Sequence, residues 1–275
     1  MGRDREQTGS MFTQDRSLPK ALRVLLPVIV FAVLMGIWEA TVRLRDIPPY
    51  ILPAPSLILQ TLVKDWSLLF ASLLATLRAT LEGFLAAAVG GIGLALLFNR
   101  SKWVEDAFLP YAVILQVTPV IAVAPLLLVY LPQHLAVVVC AWIVAFFPVL
   151  SNTLLGLKSV DRNLVGLFAL YDASPAQKLW RLRLPSALPY IMGGLRIAGG
   201  LSLIGAVVAE IAAGSAGSGS GLAFRIAEAG YRLNIPRMFA ALALLSAAGI
   251  VIYAGLSAVS RLVLRRWHES AIEGD

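Results

Sequence analysis

Long apolar stretches, nearly free of charged residues, alternate with short charged segments along the chain. Each stretch approaches or exceeds the length of about 20 residues that an α-helix needs to cross a membrane. Residues 107–157 contain no charged residue in 51 positions, enough for two helices joined by a turn at 131–134. The pattern therefore predicts six spans, in the stretches 24–42, 73–99, the two halves of 107–157, about 190–214 and 238–260.

The composition excludes a soluble globular protein. The chain is 59% hydrophobic and 14% charged, with a mean hydropathy of +0.80, whereas an ordinary globular chain is about 25% charged. A single cysteine, Cys140, excludes a disulfide scaffold and is expected to be a small core residue. Because the apolar stretches are too long for barrel strands, the predicted class is an all-α integral membrane protein with six transmembrane helices.

The net charge of +7 is explained by topology rather than by a nucleic-acid partner. With six spans both termini lie on one side, and the segments on that side carry fifteen lysines and arginines against seven on the other. The positive-inside rule then places both termini in the cytoplasm of a bacterial inner-membrane protein. We expect a cytosolic tail over residues 1–20, a six-span domain over 21–267 and a second cytosolic tail over 268–275.

Residues that could support catalysis are sparse. The chain has no glycine-rich phosphate loop and no metal-ligand spacing, so we expect no catalytic residue, no metal and no cofactor on it. The two histidines, His134 and His268, are expected to be bystanders. Arg78 and Glu82 are four positions apart on one helix face and should neutralise each other.

Five residues within the predicted spans are candidates for a substrate pathway. Arg196 and Glu210 lie fourteen positions apart in one helix, about 21 Å along its axis, so they cannot touch each other. Each is a candidate for a pathway or an intersubunit contact, with snorkelling to the membrane surface as the alternative. Gln116, Thr118 and Pro119 lie in mid-span, where proline frees a backbone carbonyl that can face a cavity.

The loop between the fourth and fifth spans, residues 158–189, has a helical pattern rather than a disordered one. Asn163 can cap a short helix whose apolar residues repeat at helical spacing, and Asp172-Ala173 should break it. Ser174, followed by proline and then by glutamine three positions after the serine, predicts the start of a second helix.

The second helix of the loop is expected to end at Leu184-Pro185. It presents Leu179 and Leu182 on one side, surrounded by basic residues. Such an apolar face on a basic helix either lies on lipid or fills a groove in a partner protein, and the pattern alone leaves both alternatives open.

The same loop resembles the signature of ABC importer permeases, Glu-Ala-Ala, three residues, Gly, nine residues and Ile-x-Leu-Pro. Counting back from Leu184-Pro185 places the signature's glycine at Asp172 and its triplet at Gly166-Leu167-Phe168. The spacing and the Leu-Pro end match, whereas the glutamate and the glycine do not. Asp172 at the glycine position predicts a backbone conformation with positive φ.

Other segments extend the resemblance over about residues 21–270 and are similar to the nitrate, sulfonate and taurine branch of that family. They are Leu52-Pro53-Ala54-Pro55-Ser56, Gln116-Val117-Thr118-Pro119, Leu184-Pro185-Ser186-Ala187-Leu188-Pro189-Tyr190-Ile191 and the basic end Arg265-Arg266-Trp267-His268. The family's Trp-Phe-Gly after the Gln-x-x-Pro helix is replaced by Val129-Tyr130-Leu131-Pro132.

The resemblance implies a permease that is not itself an enzyme. It implies a second copy of the chain around a shared pathway, a cytosolic ATPase subunit that binds ATP and docks on the loop, and an extracytoplasmic binding protein that delivers the substrate. The coupling residues it implies are Gly166, Asp172, Ala173, Leu179, Leu182, Leu184 and Pro185. The bundle would contact membrane lipid, and the glycines of the fifth span would let helices approach closely: Gly193, Gly194, Gly199, Gly200 and Gly205.

The substrate that the resemblance implies is a small anion of the sulfonate, taurine or nitrate type. A pyrimidine vitamin precursor or an aromatic acid is the alternative within the family. Two other classes of protein stay open from the residues alone: a secondary transporter driven by an ion gradient, and a membrane-embedded enzyme. The scattered carboxylates Glu39, Glu82 and Glu210 argue against both, since such proteins need clustered ionisable groups or broken helices at the membrane midplane.

Overall fold

The computed structural model describes residues 20–214 and 219–265, and within these ranges the regular structure is entirely helical. The described residues divide into two compact units, one up to residue 57 and one from residue 58. The predicted all-α class is confirmed. The described helices are α1 (Lys20–Leu44), α2 (Pro55–Lys64), α3 (Trp66–Arg100), α4 (Lys102–Val117), α5 (Val120–Tyr130), α6 (Gln133–Lys158), α7 (Arg162–Leu170), α8 (Pro175–Lys178), α9 (Leu184–Ala213), α10 (Leu222–Tyr231) and α11 (Ile235–Leu264).

Among the described residues, five helices are long and apolar enough to cross a membrane, and a bent pair gives a sixth when its two helices are counted as one span. The five are Leu25–Leu44, Trp66–Arg100, Gln133–Lys158, Pro175–Ala213 and Ile235–Leu264. The pair is α4 and α5, which meet at an angle of 98°. The six predicted spans therefore have counterparts in the structure, with the third one broken.

The third span breaks at Thr118-Pro119. Thr118 has an extended conformation, φ −70° and ψ 122°, because the ring of a following proline disfavours the α region. The predicted turn at the end of this span has the same cause, since Leu131 precedes Pro132 and is extended at φ −119° and ψ 148°. Two prolines thus define both ends of α5.

In the first unit, Glu39 of α1 holds the beginning of α2. Its carboxylate accepts hydrogen bonds from the backbone N–H of Ser56 at 3.0 Å and from the Ser56 hydroxyl at 2.7 Å. Arg43, one turn further along α1, pairs with the same carboxylate at 2.5 Å. The one carboxylate of the first span is therefore used locally, to close the segment that follows α1.

In the second unit, α6 is the central helix and packs between α3 and α9. Small residues allow this close approach. A Cβ added at Gly83 of α3 would lie 2.5 Å from the Cβ of Ala141, and one added at Gly205 of α9 would lie 2.6 Å from the carbonyl oxygen of Cys140. Cys140 is fully buried, which confirms its expected place in the core.

The glycines of the fifth span differ in what they contact. Gly194, Gly199 and Gly205 each face atoms within 3.0 Å of an added Cβ, whereas Gly193 and Gly200 have nothing within 4 Å. The expectation of close helix contact is therefore confirmed at three positions. A bare glycine surface at the other two is open to lipid or to a partner helix.

The predicted end of the second loop helix at Leu184-Pro185 is wrong. The helix continues without interruption from Pro175 to Ala213. A π-helical segment, Leu179–Arg183, precedes the proline, and the N–H of Leu184 donates to the carbonyl of Leu179 five residues earlier. This wider turn removes the clash that a proline ring makes with the carbonyl four residues before it, so the helix can pass through Pro185.

The start of α7 also differs from the prediction. Asp161, not Asn163, is the N-cap residue, and its Oδ1 accepts a hydrogen bond from the N–H of Asn163 at 2.8 Å. The second start is confirmed as a capping box: the Ser174 hydroxyl accepts from the Gln177 N–H at 3.3 Å, and the Gln177 side chain accepts from the Ser174 N–H at 2.7 Å. Both caps satisfy N–H groups that a helix start leaves free.

Candidate coupling surface and pathway residues

The turn between α7 and α8 has the hydrogen bonds of a Schellman motif. The N–H of Asp172 donates to the carbonyl of Ala169 at 3.1 Å, and the N–H of Ala173 donates to the carbonyl of Phe168 at 3.0 Å. Asp172 occupies the left-handed position of the motif, with φ 48°, where glycine is the commonest residue. The predicted break at Asp172-Ala173 and the predicted positive φ are both confirmed.

An exposed apolar surface lies beside this turn. It consists of Leu167, Leu170 and Tyr171, and we call it the α7 surface. Leu170 is 83% exposed and Tyr171 80% exposed, with Leu167 at 46%. Gly166, in the same helix, has no atom within 4 Å of an added Cβ. No described residue covers these side chains, so the surface is available to a partner.

The coupling residues predicted in the second half of the loop lie elsewhere. Leu182 is only 7% exposed, and Leu179 and Leu184 pack against the core cluster that includes Phe98 and Leu157. These side chains already pack against other helices of the same chain, because the continuous helix turns them toward the bundle. Sequence reasoning did not identify Leu170 and Tyr171 as the exposed members, since helical periodicity marks an apolar face without showing what covers it.

The residues predicted for the pathway lie on different elements, three of them at the end of α4 and the other two on α9. Gln116 and Pro119 are exposed at the break of the third span, and the hydroxyl of Thr118 donates to the carbonyl of Ile114 in its own helix at 2.7 Å. Arg196 is exposed on α9, and none of the described residues forms an ion pair with it. Gln116, Thr118 and Pro119 are close to one another because they lie within four positions of the sequence.

Glu210 is buried, at 3% exposure, and caps α10 from outside that helix. Its Oε2 accepts hydrogen bonds from the Thr76 hydroxyl and from the N–H of Ala223, both at 3.0 Å. The Thr76 oxygen in turn accepts from the N–H of Leu222 at 2.8 Å. The N-cap residue Gly221 has no side chain, so Thr76 of α3 and Glu210 of α9 satisfy the first N–H groups of α10.

Glu210 also borders a cavity of about 290 Å³ that includes Arg78, His134 and Ser220. Arg78 pairs with Glu82 at 2.8 Å as predicted, but His134 joins them, with its Nε2 2.7 Å from the other carboxylate oxygen. The sequence, which predicted a bystander rather than a ligand at His134, did not indicate this structural contact. It links the start of α6 to the middle of α3.

An ionic cluster holds α10, which lies outside the spans. Arg225 and Arg232 pair with Glu228 at 2.8 Å and 3.0 Å, and Arg225 also donates to Ser72 at 3.1 Å. The hydrogen bond from Arg225 lowers the pKa of Glu228, and the positive charges of Arg225, Arg232 and Arg237 lower it further. The ionised carboxylate therefore stabilises this segment.

The chain was compared with known proteins. A family model described as "Binding-protein-dependent transport system inner membrane component" matches residues 87–269. The formylaminopyrimidine transport permease protein ThiX of Halalkalibacterium halodurans is 34% identical over 90% of this chain and 98% of its own. The taurine transport system permease protein TauC of Escherichia coli is 29% identical over 91% of this chain and 92% of its own.

Among solved structures, the crystal structure of an amino acid ABC transporter with histidines matches with a TM-score of 0.59 and 20% identity. The match covers 75% of this chain and 97% of that one and concerns the fold. The family match and the extent of the two relatives confirm the resemblance seen in the sequence motifs. The chain therefore belongs to the family of inner membrane components of binding-protein-dependent transport systems, as the multi-pass permease of an ABC importer.

Proposed function

We propose that ATP hydrolysis on a separate cytosolic subunit drives import through a pathway formed by two copies of this chain, and that the ATPase docks on the α7 surface. The observation that carries the proposal is the exposure of Leu170 and Tyr171, 83% and 80%, directly before a rigid turn. Large apolar side chains that are exposed next to one another on a protein surface are typical of a contact site for another protein. Asp172 and Ala173 position this surface at the end of α7, while Leu179, Leu182, Leu184 and Pro185 belong to the helix that joins the loop to the bundle.

The loop supplies a mechanical connection for such a contact. The Schellman turn joins α7 to the capping box at Ser174, and from Pro175 one continuous helix runs to Ala213. At about 1.5 Å per residue, its 39 residues extend about 58 Å. Movement of α7 by the ATPase would therefore shift the helix that carries Glu210 near its far end, and Glu210 would pass the shift to α10.

The proposed topology puts both termini and the α7 surface in the cytoplasm. The opposite end, with α10, would then face the extracytoplasmic binding protein, and the exposed apolar helix faces would contact lipid and a second copy of the chain. The excess of lysine and arginine on the side of α7 supports this orientation. The proposed pathway residues at the break of the third span, Gln116, Thr118 and Pro119, lie where unpaired backbone can line a cavity.

For the substrate, we propose a small organic molecule, with a pyrimidine-type precursor as the first candidate and a small sulfonate as the second. The higher identity to ThiX, 34% against 29% for TauC, supports this order. It reverses the order that the sequence motifs indicated. Calorimetric titration of the partner binding protein with a pyrimidine precursor, taurine and nitrate would decide among them.

Uptake into vesicles tests the driving force. With the full complex, transport should stop when the ATPase subunit carries a hydrolysis-inactivating substitution. It should continue when proton and sodium gradients are collapsed at constant ATP. The reverse pattern would contradict the proposal and indicate the secondary transporter.

Recovery of the ATPase with the membrane protein tests the docking surface. Tyr171→Ala should weaken binding of the ATPase by roughly tenfold or more, since a central aromatic residue at an interface contributes about 2 kcal/mol. Tyr231→Ala is the matched control, because Tyr231 is 90% exposed but lies at the end of α10. Equal recovery with both variants, at equal expression in the membrane, would contradict this site.

A further inference from the structure

A groove of about 860 Å³ lies where the end of α3 faces α8 and the π-helical segment. It is separate from the α7 surface. Its walls are made by residues of these three segments and of the turn before α8, among them Leu96, Leu97, Arg100, Lys178, Trp180 and Arg183.

Three cations line this groove, and none of them has a carboxylate partner among the described residues. Arg100, Lys178 and Arg183 border it, and none of the lining residues is an aspartate or a glutamate. Arg183 donates to the neutral side chain of Asn99. Within residues 20–214 and 219–265, no carboxylate lies within ion-pair distance of the three cations.

Six other described cations contrast with these three, since each has a carboxylate partner: Arg43, Arg78, Lys158, Arg225, Arg232 and Arg237. Like charges close together in a partly enclosed site repel one another and raise the local positive potential. The groove is therefore suited to an anion, and an anion bound there would remove an unfavourable interaction within the protein.

The position of the groove along the span limits what that anion can be. Arg100 is the last residue of α3, a membrane-spanning helix, so the cations lie at the boundary between hydrocarbon and water. Leu97 is 56% exposed less than one turn before Arg100, and Trp180 is 68% exposed on the facing wall. Tryptophan with nearby lysine and arginine is typical of the headgroup level of a membrane.

We propose that this groove binds the headgroup phosphate of an anionic phospholipid. Arg100, Lys178 and Arg183 contact the phosphate, and the first part of an acyl chain lies along Leu96, Leu97 and Trp180. A soluble phosphate would use the cations but would leave this apolar wall in water. The combination of a charged rim and an exposed apolar wall at the end of a span therefore favours a lipid.

Native mass spectrometry of the full-length protein, stripped of lipid and titrated with phosphatidylglycerol or phosphatidylcholine of equal chain length, tests the proposal. The wild type should bind phosphatidylglycerol more tightly. The double variant Arg100→Gln with Lys178→Gln should bind it about 30-fold more weakly, since each cation near an anionic lipid strengthens binding about fivefold and the two factors multiply.

The matched control is the double variant Arg162→Gln with Arg181→Gln. It removes two exposed cations from the same loop that do not line the groove, and it should leave phosphatidylglycerol binding unchanged. Lys178→Arg, which keeps the charge, should also bind as the wild type does. Thermal unfolding of each variant shows whether it remains folded, and the single variant Lys178→Gln, with an expected loss of about fivefold, replaces the double variant if that one does not fold.

Three results would overturn the proposal. Equal binding of the two lipids by the wild type would show that charge does not select the ligand. An equal loss in the control variant would show that the groove is not the site. Displacement of the lipid by glycerol 3-phosphate, or by the purified ATPase subunit, would assign the groove to a soluble phosphate or to the ATPase. None of these results bears on whether ATP drives transport.

Discussion

At the scale of single residues, Asp172 shows that an aspartate can take a backbone conformation that glycine usually occupies. Its φ of 48° lies in the left-handed region, which glycine enters freely and which aspartate tolerates better than most residues. The hydrogen bonds of Asp172 and Ala173 to α7 hold it there. The conformation is thus imposed by the end of the helix rather than by the side chain.

Substitution of Asp172 tests this interpretation. Asp172→Gly should be neutral or stabilising by up to about 1 kcal/mol, because it removes a steric cost. Asp172→Val should destabilise the protein by about 1–2 kcal/mol, since a β-branched residue fits this region poorly. Thermal unfolding of the purified full-length protein measures both, and a more stable valine variant would contradict the assignment.

Gly221 is a second residue at which a missing side chain matters. A Cβ added there would lie 1.9 Å from Oε1 of Glu210, whose other oxygen, Oε2, accepts hydrogen bonds from Thr76 and Ala223. Gly221→Ala should therefore displace the carboxylate and lower the unfolding free energy by about 1–3 kcal/mol, the cost of leaving a buried polar group unpaired. Gly219→Ala should show no steric effect of this kind, because an added Cβ there meets no atom within 4 Å, although its φ of 123° adds backbone strain.

At the scale of elements, the two apolar sets of the loop should respond differently to truncation. Leu182→Ala removes a side chain that is 7% exposed and should destabilise the fold by about 2–4 kcal/mol. Leu170→Ala removes one that is 83% exposed and should change stability by less than about 0.5 kcal/mol while weakening ATPase binding. Unfolding and ATPase recovery measured on both variants check this, and a reversal of the two effects would contradict the placement of the helix.

The cluster around α10 should make stability depend on pH. Arg225 and its basic neighbours lower the pKa of Glu228 below the ordinary value of 4.5, so the ionised form contributes stability above that value and loses it as the pH falls below it. Glu228→Gln removes this contribution at neutral pH. The difference in melting temperature between wild type and Glu228→Gln should therefore shrink as the pH falls from about 7 to below about 4.5, and a difference that grows on acidification would contradict it.

At the scale of the whole molecule, the chain should function only as part of an assembly. In the proposed assembly one copy supplies half of a pathway, and much of the apolar helix surface of the second unit is exposed: only 17% of the most apolar residues of the last span are buried. Lipid and a second copy are expected to cover these faces. The purified complex should have the mass of two permease copies with two ATPase subunits, and a single copy that transports without an ATPase would contradict this.

Several features followed from the sequence because their causes are local. Hydropathy predicted the six spans, since a helix in lipid must be apolar over its whole length. A proline predicted the turn after Tyr130. Ser174, Pro175 and Gln177, within four positions, predicted the capping box. The spacing of a family signature pointed to the positive φ of Asp172. Each of these depends on residues within a few positions of one another.

Other features were decided only by the tertiary structure. Glu210 lies 134 positions from Thr76, and His134 lies 52 positions from Glu82, yet each pair shares a hydrogen bond. Leu182 and Leu170 are equally apolar in the sequence, but only packing within the bundle, where the π-helical segment contacts α6 and α9, buries one and leaves the other exposed. The passage of the helix through Pro185 likewise depended on a π-helical turn that no residue type in the segment specifies. Periodicity states which residues share a face, whereas the partner of that face depends on contacts between distant parts of the chain.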